Sequence, residues 1–198
     1  MLRRRRRLIP AVLAVAALTV LATGVVASQQ RNFVTSLSGA AEIPIRDTNA
    51  RGAAVLMLSA DGTTISYRLI ASNIDNVFMA HIHLQAPGTD QGAANGPIVV
   101  WLAPSTTPNV TLPLGGGRHD GVLATGTFSA ADFQDTLTGQ PMSTLLTAIA
   151  EGRAYVNVHT NDGVDPTNTG AGDFPGGEIR GQIRRARIRS PQRTFEQD

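Results

Sequence analysis

The sequence predicts an all-β domain: a Greek-key β-sandwich or barrel of about eight strands with one short connecting helix. Three observations carry this. Short apolar runs recur along the chain, separated by Gly, Pro, Asn and Asp. Asp61-Gly62 stands between two such runs, a strong local hairpin signal. Beyond it Ile65, Tyr67 and Leu69 alternate with Ser66 and Arg68, the period of a half-buried strand.

In chain order, strands are expected over 33–37, 53–59, 64–71, 77–84, 97–102, 122–128, 154–160 and 178–183. The run 53–59 (AAVLMLS) is almost continuously apolar, and 154–160 (AYVNVHT) alternates. Residues 130–152 differ. Met142, Leu145, Leu146 and Ile149 fall at helical spacing, with Ser143 as the expected N-cap and Gly152 as the stop.

The N-terminus reads as an address. Arg3 to Arg7 form a positive block, Leu8 to Ala22 an apolar stretch, and Ala27 a small residue before Ser28. That is the secretory-signal pattern. The expected division is a signal peptide over 1–27, a short linker over 28–32, a β domain over 33–184 and a basic disordered tail over 185–198. An uncleaved anchor is the alternative, and would be the one membrane contact. Either arrangement places the body outside the cytoplasm, secreted or in the cell envelope.

Charge points the same way. All 17 basic residues are Arg, and ten of them lie in the N-terminal block and the last fifteen residues. Residues 28–183 keep 7 Arg against 13 acids, a net charge of −6. No nucleic-acid partner is expected of so acidic a body. The chain has no cysteine, which excludes disulfides, thiolate metal sites and a Cys nucleophile.

Four histidines are present: His81, His83, His119 and His159. Alternation along 77–84 assigns Phe78, Ala80, Ile82 and Leu84 to the core face and His81 and His83 to the other. Two residues apart on a strand stand about 7 Å apart, close enough to converge on one cation. In 154–160, Ala154, Val156 and Val158 turn inward while Tyr155, Asn157 and His159 turn outward. Neighbouring strands would bring three imidazoles to one outer face. The Gly-rich segments 85–96 and 161–177 follow these strands and could wall that face. Two roles stay open. The imidazoles could hydrogen-bond loop backbone, or hold copper or zinc with binding that weakens below about pH 6.5. His119 is expected in an exposed loop.

No catalytic residue is expected. There is no Gly-x-Ser-x-Gly and no phosphate-cradling loop. Residues 161–165 (NDGVD) lack a full calcium-loop pattern. Glu178, Arg180 and Gln182 should point outward from the last strand, with Arg180 pairing Glu42 across the sheet to fix register.

Several of these segments together resemble the CHRD domain, named for chordin. They are 37–44 (LSGAAEIP), 80–83 (AHIH), 95–100 (NGPIVV), 155–160 (YVNVHT) and 175–182 (PGGEIRGQ). The resemblance spans about 33–184 and implies an all-β extracellular domain in which Glu42, Asn157, Glu178 and Arg180 are motif positions. The two-His strand and late strand His are also similar to copper–zinc superoxide dismutase, which by position implies copper on His81, His83 and His159. The loop after His83 has no bridging His, and the zinc loop is missing, so no zinc subsite is implied. The leading expectation is therefore a secreted, non-enzymatic binding or envelope-structural module with an unknown extracellular ligand. The alternative is a three-His copper or zinc protein with a dismutase-like site.

Overall fold

Each expected run becomes a strand. The computed structural model describes residues 31–186. Its strands are β1 (Asn32–Ser38), β2 (Arg51–Leu58), β3 (Thr64–Asp75), β4 (Val77–Leu84), β5 (Ile98–Ala103), β6 (Arg118–Ser129), β7 (Ala154–Thr160), β8 (Ile179–Gln182) and the two-residue β9 (Arg184–Arg185). One helix, α1 (Met142–Ala150), precedes β7. The antiparallel sheet runs in the order β5-β4-β7-β8-β1-β2-β3-β6, with β9 beside β1. Its edge strands β5 and β6 approach each other, so the sheet is a nearly closed, Greek-key-like barrel. Near the seam the Tyr67 hydroxyl of β3 donates to the Leu102 carbonyl of β5 at 2.6 Å.

Inward-facing side chains fill the barrel. Leu37, Leu56, Leu69, Ile82, Val156 and Phe128 belong to one continuous apolar cluster, joined by Leu145 and Ile149 of α1. Two parts of the outer surface differ. In β1, β2 and β3 buried and exposed residues alternate, leaving Val34, Val55 and Met57 exposed. In β4 and β7 every residue but the half-buried Met79 is buried, so both faces are covered. An antiparallel strand buried on both faces needs a second layer. Segments 39–50, 85–97 and 161–177 supply it.

The structure changes several details. Phe78 does not join the core. The register between β4 and β7 slips between Val77 and Met79, a bulge that admits an extra residue. Phe78 is excluded from the apolar cluster, and its ring lies 6.3 Å from that of His159. The helix starts one residue before Ser143, with Pro141 as N-cap and Met142 buried. Gly152 does close it: at φ +73 it lets Gly152 N donate to Ile149 O and Arg153 N to Ala148 O. His119 lies within β6, opposite Ile74, instead of in a loop. β1 and β9 each extend one residue into the segments flanking the expected domain. The signal segment 1–27 and tail residues 187–198 lie outside the described residues. No helix among the described residues is long and apolar enough to cross a membrane.

Candidate metal centre

Register brings the site together. His81 on β4 faces Trp101 on β5 and Asn157 on β7, and Asn157 faces Arg180 on β8. In the next row His83 faces Tyr155, which faces Gln182. On the other side Met79 faces His159. Ligand atoms of His81, His83 and His159 all lie within 4.8 Å of one another. The expected convergence on one outer face is therefore present.

The rings are not exposed. His81 is fully buried, and His83 and His159 are 8% and 5% exposed. Trp101 meets His81 edge-on at 4.2 Å between centroids, and Tyr155 stacks on His83 at 5.0 Å. Trp101 is not among the expected site residues, because nothing in the sequence says that β5 lies beside β4.

Hydrogen bonds fix the tautomers. His83 Nδ1 lies 2.9 Å from Gly96 O, and His159 Nδ1 lies 2.8 Å from Pro175 O. A carbonyl only accepts, so both Nδ1 atoms carry the proton and both Nε2 atoms present lone pairs. His81 Nδ1 lies 3.2 Å from His159 Nε2, so it donates there. With that pair closed, His83 Nε2 is the free lone pair of the cluster, and His81 offers either ring nitrogen according to its tautomer. Neither His81 Nε2 nor His83 Nε2 has a hydrogen-bond partner, although both are buried. His83 has the arrangement of a metal-binding imidazole, one nitrogen held by a carbonyl and the other free.

Electrostatics keep the cluster neutral. Burial drives His81 down to about 2, His83 to about 4 and His159 to about 3, with mutual repulsion adding to it for His81 and His159. Arg180 also pushes His83 down. This corrects the expectation that protons compete with metal from about pH 6.5. In the folded protein that competition starts lower. The donor atoms fit a cation. Two nitrogens at about 2.1 Å from one tetrahedral ion stand about 3.4 Å apart, so modest ring rotation closes the 4.8 Å spread.

The motif charges do different work from that expected. Arg180 is 1% exposed and forms no ion pair with Glu42; the ion pairs among the described residues are Arg118–Asp120 and Arg153–Glu151. Its guanidinium lies over the Tyr155 ring and donates to Gly92 O at 2.9 Å and Asn95 Oδ1 at 2.8 Å. It also donates to Ala41 O. It thus fastens segments 39–50 and 85–97 to the sheet. Glu42 takes its hydrogen bond from Asn157 Nδ2 at 2.7 Å. Burial lifts its carboxyl to about 7 against the pull of Arg180 and Arg46. Glu178, fully buried, accepts from Thr48 Oγ1, Thr160 Oγ1 and Gly172 N. It ties segments 39–50 and 161–177 to the end of β7.

The CHRD domain family matches residues 33–183. The chain belongs to the CHRD-domain family. Glu42, Asn157, Glu178 and Arg180, the positions singled out from the resemblance, line or anchor the covered face. No curated protein and no solved structure matches the chain.

Proposed function

We propose that this CHRD domain is an extracytoplasmic cation-binding module that holds one copper or zinc ion on His81, His83 and His159. The observation that supports it most is the convergence of three buried imidazole donor atoms within 4.8 Å of one another, with the His83 and His159 tautomers set by Gly96 and Pro175. Buried polar atoms without partners are rare in folded proteins, and a bound ion or water accounts for them. Imidazole nitrogen suits copper and zinc. The location rests on the signal-like N-terminus together with the generally extracellular occurrence of CHRD domains.

A second reading is favoured by the same carbonyl contacts. His83 and His159 each fasten a covering loop, which is what a purely structural, non-enzymatic binding module would need. Equilibrium dialysis against copper(II) or zinc, followed by elemental analysis, separates the two. The wild type should retain one ion per chain, and His81→Gln and His159→Gln should lose it while His119→Gln keeps it. Equal metal content in wild type and all three variants would reject the cation site in favour of the structural role.

A further inference from the structure

Among the described residues the cluster consists of three imidazoles, with no fourth His, Asp or Glu in it. Protein sites with three ligands differ in function from closed, four-ligand structural sites: they keep a coordination position for water or another small molecule. A second observation sits beside the cluster. Asn157 is 3% exposed and stands directly opposite His81 in the β4–β7 register. Its Nδ2 is committed to Glu42, while Oδ1 is buried without a partner. The unpartnered His83 Nε2 and Asn157 Oδ1 are thus both acceptors on one covered face. A bare cation on the imidazoles satisfies the nitrogen and leaves the amide oxygen orphaned. A cation carrying water satisfies both.

Resting on the three-imidazole reading above, we infer that the bound cation keeps one exchangeable coordination position for a small protic ligand, and that Asn157 orients that ligand by accepting its hydrogen bond. Glu42 fixes the direction of the amide by occupying its NH2 group, so that Oδ1 remains the acceptor. Asn157 is a positioning residue in this scheme. The nearly complete burial of the cluster limits the ligand to the size of water, hydroxide or a small anion.

The test uses the copper(II)-loaded protein. Water-proton relaxation reports an exchangeable water on the metal, and azide titration followed by visible absorption reports how readily that water is displaced. The wild type should show exchangeable water. Asn157→Ala should keep its copper yet bind azide roughly five- to tenfold tighter, because the competing water has lost its hydrogen bond. Asn157→Asp keeps an acceptor and adds negative charge, so azide should bind it no more tightly than the wild type. Loaded wild type without exchangeable water would overturn the inference alone, pointing to closure by a fourth protein group such as Met79. An unchanged azide affinity in Asn157→Ala, or tighter binding in both variants, would overturn it as well. Wild type that takes up no copper would overturn the three-imidazole reading and this inference with it.

Discussion

Lowering the pH from 6 to 5 should cost the metal-free protein about 2.5 kcal/mol of stability. The groups responsible are buried, so solvent screening is small: His81, His83 and His159 are at most 8% exposed and Glu42 is 3% exposed. Each imidazole titrates near 6.5 when unfolded and at about 2 to 4 when folded. Below 6.5 the unfolded chain therefore takes up protons that the folded protein refuses, and stability falls as pH falls. Glu42 acts with the opposite sign. Its folded value of about 7 lies above 4.5, so between these values the folded state binds the extra proton and gains stability as pH falls. Three imidazoles less one carboxyl leave about two protons, at about 1.4 kcal/mol per proton per pH unit, slightly reduced by incomplete titration. Urea denaturation of chelator-treated protein at pH 6 and pH 5 measures the change directly. His159→Gln should shrink it by about 1.2 kcal/mol. A stability that stays flat across this range, or a loss that His159→Gln leaves unchanged, would refute the neutral, buried state of the cluster.

Further outcomes follow from individual contacts. Trp101 is the sole tryptophan and packs against His81, so stoichiometric copper(II) should quench most of its fluorescence while zinc leaves it largely intact. Arg180→Lys should not restore what Arg180→Ala loses, because an ammonium cannot span Ala41, Gly92 and Asn95 together. Both should cost about 2–4 kcal/mol in denaturant unfolding and speed hydrogen exchange at residues 92–96. Gly181→Ala should lower the melting temperature sharply. An added Cβ would collide with the Ser36 carbonyl and force β1 and β8 apart. Gly88→Ala meets open space and should cost only the about 1–2 kcal/mol of a left-handed backbone.

Much of this fold was legible because a strand's period is so simple. β4 and β7 were bounded to the residue, and the placement of His81, His83 and His159 opposite Ile82 and Val156 followed from alternation alone. Alternation fails where the backbone inserts a residue. The bulge at Phe78 turned an apolar side chain toward His159, and no feature of VFMAHIHL announces it. Pairing order is equally silent in the sequence. That β5 lies against β4, placing Trp101 on His81, is a long-range fact. The Glu42–Arg180 expectation failed for a related reason. Opposite charges on neighbouring segments suggest a pair, but the covering loops offered Arg180 the carbonyls of Ala41 and Gly92, and Asn157 reached Glu42 instead.

X-ray absorption at the edge of the bound metal tests the central claim most directly. Protein loaded with one equivalent of copper or zinc should show three imidazole nitrogens at about 2.0–2.1 Å, with the ring-scattering pattern of histidine. A shell made of oxygen, or one holding a single imidazole, would contradict a site built from His81, His83 and His159.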